Sequence, residues 1–213
     1  MAEQVLRVSP LGRYEARFAA LDGGDRIAIR EVPFLTQLTL RVQPAGAAAD
    51  RIGKALGVAL PVQPCTTASG DGVTVLWLGP DEWLVVSEPD RAADLTARIR
   101  ENLAGEHGAV VDTSAQRTAV RITGKNAADV LAHGCALDLD RRGAGGDGVA
   151  ISGFGPGQCV STLLAKAQVV ITPEQDGYLV LVRSSFAEYL ATWLLDASAE
   201  YAAGAADELE RVG

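Results

Sequence analysis

The sequence predicts an α+β protein made of two copies of one unit, each consisting of a strand, a helix, a hairpin and a second helix. An alternating apolar segment opens each copy, a helical segment follows it, and two β-prone runs come next. The same order recurs in the second half of the chain. Because each copy would expose an apolar sheet face, we expect the two copies to cover one another.

The first copy begins with a strand over residues 38–42, where apolar and polar side chains alternate as in a half-buried strand. Strong helix formers follow from Ala45 to Leu56, and Gly57 provides a C-terminal cap. The runs Val73 to Gly79 and Trp83 to Ser87 flank a Pro-Asp turn, which predicts a hairpin.

The second copy repeats this order. It comprises a strand over Thr118 to Thr123, a helix over Asn126 to Ala132, a strand over Val160 to Ala167, and a hairpin of Val169 to Thr172 with Tyr178 to Val182.

Each copy is predicted to close with a helix that begins at a capping side chain. Ser87 would cap a helix reaching Leu103, with Pro89 in its first turn. Ser185 and Glu188 have the spacing of a capping box at the start of the last helix. The apolar stripe predicted for that helix contains Phe186, Tyr189, Leu190, Trp193, Leu194, Ala197 and Tyr201.

The N-terminal segment carries apolar residues without the period of a helix or a strand, which predicts that it orders on a partner. These residues are Val5, Leu6, Val8, Leu11, Tyr14 and Phe18. We therefore divide the chain into an N-terminal docking segment (1–18), a first α+β half (19–105), a second α+β half (106–203) and a C-terminal tail (204–213).

Composition excludes several classes of protein. The formal net charge of -8 would repel a phosphate backbone, so nucleic acid is not an expected partner. No apolar run approaches the ~20 residues that span a bilayer. Charged residues interrupt the N-terminus where a signal peptide would be apolar, which predicts a cytoplasmic protein. Its three widely spaced cysteines are expected to be buried thiols.

Two motifs resemble functional sites, but the residues around them do not support the function. Residues 143–148 form a G-x-G-x-x-G pattern, but the glycines and proline that follow cannot form the helix that nucleotide binding requires. We interpret this pattern as a surface loop. His107, His133 and Cys135 have no recognisable partners for catalysis or metal binding, and we interpret the histidines as loop or cap residues.

Two further pairs leave alternatives open. Asp112 and Ser114 are either a carboxylate and hydroxyl pair or part of a local turn, which is the commoner role for such residues at a strand end. Trp77 and Trp83 flank the hairpin turn and are expected to point to the same face. They could line a ligand pocket, form a partner interface or belong to the core.

Five stretches of the chain are distinctive in their order and spacing. They are GPDEWLVV (Gly79 to Val86), VVDTSAQRTAVRITG (Val110 to Gly124), VLAHGCALDLD (Val130 to Asp140), TLLAKAQVVI (Thr162 to Ile171) and RSSFAEYLATWLLDASAEY (Arg183 to Tyr201). With them, the chain resembles the sarcosine oxidase gamma subunit family from residue 9 to residue 201.

That family is similar to the folate-binding region of the glycine cleavage T-protein, which implies a T-protein-like folate-binding-domain fold. T-proteins use an aspartate in a hairpin loop, and the corresponding stretch here is Leu164 to Gln168. No Asp or Glu occurs from Val149 to Pro173. Aminomethyl transfer by this chain is therefore not expected.

The resemblance implies a non-catalytic subunit of a heterotetrameric complex that oxidatively demethylates sarcosine and passes the one-carbon unit to tetrahydrofolate. It places FAD, FMN, NAD, tetrahydrofolate and zinc on the alpha, beta and delta partner subunits, and none on this chain. The residues we expect at the partner interface are Ser9, Pro10, Leu11, Tyr14, Trp77 and Trp83. The alternatives are a subunit of a related N-methyl amino acid dehydrogenase and a free-standing folate-binding protein.

Overall fold

The computed structural model describes residues 7–139 and 154–202, which form two antiparallel sheets and five α-helices. The strands are β1 (Ala28–Val32), β2 (Thr36–Val42), β3 (Thr67–Gly70), β4 (Val73–Gly79), β5 (Glu82–Ser87), β6 (Gly108–Asp112), β7 (Arg117–Thr123), β8 (Val160–Leu164), β9 (Ala167–Glu174) and β10 (Gly177–Arg183). The helices are α1 (Glu15–Leu21), α2 (Ala47–Leu56), α3 (Ala92–Leu103), α4 (Ala127–Ala132) and α5 (Ala187–Ala197). Short 3-10 turns precede α1 and α5, and another follows α5.

The two sheets have the same strand order, which confirms the predicted duplication. The first sheet runs β6-β2-β5-β4-β3 and the second runs β1-β7-β10-β9-β8, with every neighbouring pair antiparallel. In each sheet a helix follows the second strand, as α2 follows β2 and α4 follows β7. Another helix follows the central strand of each sheet, as α3 follows β5 and α5 follows β10.

The two units exchange their first strands. β1 lies beside β7 in the second sheet, with Ala28 opposite Thr123, although it precedes the whole first sheet in the chain. β6 lies beside β2 in the first sheet, with Leu38 opposite Asp112. The sheets therefore do not follow the expected division between residues 105 and 106, because each sheet takes one edge strand from across that boundary.

Three apolar cores hold the fold together. The first lies between the first sheet and α2 and α3, and the second lies between the second sheet and α1, α4 and α5. The third lies between the two sheets, where Leu76, Leu84 and Val86 of the first sheet meet Leu179 and Leu181 of the second. Along each central strand, successive side chains therefore point alternately toward the helices and toward the facing sheet.

The predicted start of the helix at Ser87 is wrong. Ser87 is the buried last residue of β5, and α3 begins at Ala92 with Arg91 at the N-cap position. The backbone N–H of Arg91 donates to the hydroxyl oxygen of Thr36 at 3.0 Å. A side chain from a distant strand therefore takes the place of the predicted local cap.

The last helix is also placed differently from the prediction. Helix α5 begins at Ala187 after a 3-10 turn, with Phe186 at the N-cap position and no side-chain capping bond. Glu188 instead forms an ion pair with Arg13. The buried stripe of the helix consists of Ala187, Leu190, Ala191 and Leu194, so it is rotated away from Phe186 and Tyr189.

Among residues 7–139 and 154–202, no helix has both the length and the apolar character needed to cross a bilayer.

Candidate subunit interface

Three apolar side chains of the described N-terminal segment belong to the core of this chain. The side chains of Leu11, Tyr14 and Phe18 are buried in the second core, and Leu11 is only 1% exposed. The hydroxyl of Ser9 donates to the carboxylate of Glu31 on β1. The prediction that this segment needs a partner to become ordered is therefore wrong for residues 11–18, because their apolar side chains fold against the second sheet.

Arg7, Val8 and Pro10 keep accessible surface and border a cleft of about 390 Å³. The side chain of Val8 is 86% exposed, and Pro10 lines the cleft beside it. Arg7 forms an ion pair of 2.7 Å with Asp90, and its guanidinium lies 6.0 Å from the ring centroid of Phe34. Val8 and the exposed Phe34 give this rim the apolar surface that a partner could cover.

The left-handed backbone at Phe34 and Asp90 shapes the same cleft. Their φ angles are 63° and 67°, values that bulky residues rarely adopt outside turns or strained sites. Both residues hold their unusual conformation at the cleft lined by Arg7.

Asp112 and Ser114 lie in the wall of this cleft and form a local turn. The backbone N–H and the hydroxyl of Ser114 both donate to Oδ1 of Asp112, at 2.9 and 2.6 Å. The hydroxyl oxygen also accepts the N–H of Gln37 at 3.0 Å. The turn interpretation therefore fits the structure, because the hydroxyl ties β6 to β2.

Trp77 and Trp83 lie directly opposite each other on β4 and β5, and both pack against the first core, which is one of the alternatives that the sequence left open. Trp83 is fully buried, and its indole N–H donates to the carbonyl of Pro61 at 2.7 Å. Trp77 is only partly buried. Of the two expected interface tryptophans, only Trp77 has surface that a partner could reach.

An exposed aromatic pair at the start of α5 was missed, because Phe186 and Tyr189 were assigned to the buried stripe. Their rings are perpendicular with centroids 6.4 Å apart, and they are 43% and 40% exposed. The hydroxyl of Tyr189 accepts the N–H of Lys166 at 3.2 Å. The sequence signal that could have revealed the buried face of α5 is the pair of small residues Ala187 and Ala191. Their side chains let that face of the helix pack closely against the sheet.

Two of the three cysteines are the buried thiols that the sequence predicts, whereas Cys65 is only partly buried. Cys135 and Cys159 are buried, and all three cysteines are free. The thiol of Cys159 donates to the carbonyls of Thr66 and Trp77, each at 3.4 Å. Burial raises the pKa of this thiol to about 12, so it stays protonated and unreactive near neutral pH.

The described histidines do not come together with other side chains in a catalytic or metal-binding site. His107 and His133 are both exposed, and Nε2 of His133 lies 3.6 Å from the carboxylate of Glu200. Within residues 7–139 and 154–202, no group of three His, Cys, Asp or Glu side chains is placed to hold a metal ion. The glycine pattern at residues 143–148 lies outside the described residues.

Comparisons with known proteins agree on one family. The family model described as sarcosine oxidase, gamma subunit family, matches residues 41–200. The sarcosine oxidase gamma subunit of Corynebacterium sp. strain U-96 is 37% identical over 204 residues, which cover 93% of each chain. That of Arthrobacter sp. is 34% identical over 200 residues, which cover 92% of each chain.

Solved structures support both the family and the fold. A chain of heterotetrameric sarcosine oxidase from Corynebacterium sp. U-96, in complex with pyrrole 2-carboxylate, matches with a TM-score of 0.81 and 35% identity. The match covers 92% of this chain and 97% of that chain. The glycine cleavage aminomethyltransferase T of Bartonella henselae matches with a TM-score of 0.57 and 16% identity, over 87% of this chain and 49% of that chain. The second match confirms the T-protein-like fold. The family model over residues 41–200, together with relatives 34% and 37% identical over more than nine tenths of the chain, shows that this chain belongs to the sarcosine oxidase gamma subunit family.

Proposed function

We propose that this chain is a non-catalytic gamma subunit of a heterotetrameric sarcosine oxidase. Such a complex demethylates sarcosine oxidatively to glycine and transfers the one-carbon unit to tetrahydrofolate. The proposal depends above all on the match to a chain of heterotetrameric sarcosine oxidase, which extends over 97% of that chain at 35% identity.

The roles of the polar side chains support a structural subunit. The Ser114 hydroxyl is bonded within its turn and to β2, and the thiol of Cys159 is held protonated in the core. The carboxylate beside the Ser114 hydroxyl, that of Asp112, is itself held in the turn by the backbone N–H of Ser114. Among the described residues the thiol of Cys159 donates to backbone carbonyls, which are not bases that activate a nucleophile. Each side chain instead stabilises a junction between strands.

The cofactors are proposed to lie on the alpha, beta and delta subunits, which would carry FAD, FMN, NAD, tetrahydrofolate and zinc. The T-protein fold raises the question of a folate site on this chain. At the position of the T-protein aspartate, Ala165 and Lys166 form a tight turn between β8 and β9, with a φ of 52° at Ala165. This turn contains no carboxylate, so we assign no folate chemistry to this chain.

The partner is proposed to cover the rim formed by Val8 and Phe34, together with the exposed parts of Trp77, Phe186 and Tyr189. Aromatic side chains at the surface supply large contact areas at little cost in conformational entropy. Permanent hetero-complexes bury more than ~2,000 Å² in total and have apolar interfaces, so several such contacts would be needed. The complex is proposed to be cytoplasmic.

Purification of the full-length chain with and without its partners tests this function. We expect the chain alone to be colourless and to form no peroxide when sarcosine is added. The chain co-expressed with the other three subunits should yield a flavin-containing complex that does form peroxide. A flavin spectrum that stays with the chain alone through gel filtration would contradict the proposal, and tetrahydrofolate binding by the chain alone would favour a free-standing folate-binding protein.

A further inference from the structure

The core between the two sheets ends in a polar cavity of about 250 Å³ that contains two arginines. Arg117 on β7 and Arg183 on β10 lie directly opposite each other in the sheet register. Ala119 lies two positions after Arg117, and Leu181 lies two positions before Arg183. These two residues form the next pair on the same face, and both belong to the core between the sheets. The two arginines therefore continue an apolar face into a cavity.

The guanidinium of Arg117 is incompletely bonded. Its Nη1 atom is buried and has no hydrogen-bond partner among residues 7–139 and 154–202. Neither Arg117 nor the exposed Arg183 forms an ion pair within those residues. Burial, with the charge of Arg183 close by, lowers the pKa of Arg117. Two like charges opposite each other on neighbouring strands destabilise a sheet, so this arrangement costs stability in the chain alone.

The carboxylates around the cavity compensate for this pair only in part, since the charge of Glu82 raises the pKa of Arg117 against the larger effects of burial and Arg183. Glu82 of the first sheet lines the cavity, but its Oε2 lies 3.4 Å from Nη1 of Arg41. Arg41 is also bonded to both oxygens of Asp81, at 2.7 and 2.9 Å. These five side chains comprise three guanidiniums and two carboxylates, so one positive charge is in excess.

The site is held in place from the opposite sheet. The side chain of Gln37, which is 1% exposed, donates through Nε2 to the carbonyl of Arg117 at 2.9 Å. Ser161 and Gln168 line another wall and offer neutral polar groups. A carboxylate accepts paired hydrogen bonds from the planar guanidinium of arginine, so it is the group that two arginines beside neutral polar neighbours favour.

The neighbouring surface indicates that the ligand belongs to a protein. Leu163 is 58% exposed and lies two positions after Ser161 on β8, so both side chains point to the face that borders the cavity. Leu163 also lies opposite Gln168 in the register. An exposed leucine beside a charged cavity is suited to a docked protein surface, which would cover the leucine and exclude water from the arginines.

We propose that this cavity binds the carboxylate of an aspartate or glutamate side chain from a partner subunit. The inference rests on the proposed function, because it requires a partner. The cavity is positive although the chain as a whole carries a formal net charge of -8, so an acidic segment would be directed to this point of the surface.

The test compares Arg183→Gln with Arg100→Gln, a matched loss of charge at an exposed position on α3. Full-length chains are titrated into the other oxidase subunits, purified together. We expect Arg183→Gln to bind roughly tenfold to a hundredfold more weakly, which corresponds to the loss of hydrogen bonds to a charged group. Arg100→Gln should bind like the wild type. The melting temperature of Arg183→Gln alone should equal or exceed that of the wild type, because the repulsion between the arginines is gone, whereas a structural arginine would lower it.

The outcomes separate this inference from the proposed function. If the wild-type chain binds and Arg183→Gln binds equally well, the carboxylate site is overturned and the subunit assignment stands. If the wild-type chain binds no partner, both are overturned. Sodium acetate, compared with sodium chloride at equal ionic strength, tests for a free ligand. Stabilisation of the wild-type chain by acetate that is lost in Arg183→Gln, together with unimpaired assembly, would assign the cavity to a free carboxylate and overturn the partner assignment.

Discussion

The hydroxyl oxygens of Tyr14 and Thr192 lie 3.2 Å apart, although the two residues are separated by 178 positions in the chain. The guanidiniums of Arg13 and Arg17 lie 5.6 and 5.2 Å from the centroid of the Tyr14 ring. The Tyr14 contact with Thr192 and the ion pair of Arg13 with Glu188 hold the beginning of the chain against α5, which closes the second unit. The N-terminal residues therefore stabilise the fold of this chain before any partner is present.

Replacement of Leu11 tests this role. Leu11→Ala should lower the free energy of unfolding by about 2 to 5 kcal/mol, because a fully buried side chain is lost from the second core. Val8→Ala, three positions earlier and 86% exposed, should change it by less than about 0.5 kcal/mol. Urea denaturation of the two full-length variants measures both values, and equal effects would mean that the segment is not packed as described.

The sequence predicted the elements whose signals are local. The alternation over residues 38–42, the turn at Pro80 and Asp81, and the cap at Gly57 all lie within or beside the elements that they define. Gly57 has the left-handed φ of 73° that such a cap requires. The duplicated order followed from these elements, and the two sheets confirm it.

The missed features depend on contacts between distant residues. β1 and β6 are short edge strands whose partners lie in the other unit, so nothing in their own residues indicates the exchange. The backbone of Arg91 is capped by Thr36, which is 55 positions away. At the candidate interface, Leu11 and Tyr14 were assigned to a partner because the sequence does not show that the second sheet has a face for them to cover. Of the candidate residues, Ser9, Pro10 and Trp77 keep some accessible surface.

The two opposed tryptophans should differ strongly in their contribution to stability. Trp83→Phe removes a buried indole and leaves the carbonyl of Pro61 without its donor, so we expect a loss of about 2 to 4 kcal/mol. Trp77→Phe should cost less, because its side chain is only partly buried. Thermal and urea unfolding of both variants would contradict this if Trp77→Phe were the more damaging change.

Gly57 and Gly105 both have a left-handed backbone, but only Gly57 is crowded by a neighbouring side chain. Alanine substitutions at the two positions therefore separate the cost of backbone strain from the cost of a steric clash. Gly105 has a φ of 84° and open space around it, so Gly105→Ala should cost about 1 to 2 kcal/mol from the backbone alone. A methyl group at Gly57 would also collide with the carboxylate of Asp71. We therefore expect Gly57→Ala to lose about 1 kcal/mol or more beyond the loss of Gly105→Ala. Denaturant unfolding measures the difference, and equal losses would show that Asp71 moves aside freely.

The raised pKa of Cys159 predicts a loss of stability in alkali. Between the ordinary thiol value of about 8.5 and the folded value of about 12, the unfolded thiol releases its proton while the folded one keeps it. The stabilising contribution is thus complete below about pH 8.5 and is lost as the pH rises toward 12. Unfolding of the wild type and of Cys159→Ala at several values between pH 7 and 11 should show a decline that is steeper in the wild type, by at most about 1.4 kcal/mol per pH unit. Parallel curves would mean that the thiol does not remain protonated in the fold.

The assignment as an oxidase subunit is tested most directly by the mass of the particle that forms when this chain is co-expressed with the other three subunits. Light scattering on the gel-filtration peak, with the subunit ratio read from a denaturing gel, gives the composition. Membership of a heterotetramer predicts one copy of this 22.2 kDa chain with one copy of each partner. A wild-type chain that elutes alone at 22.2 kDa, while its partners assemble and oxidise sarcosine without it, would contradict the account.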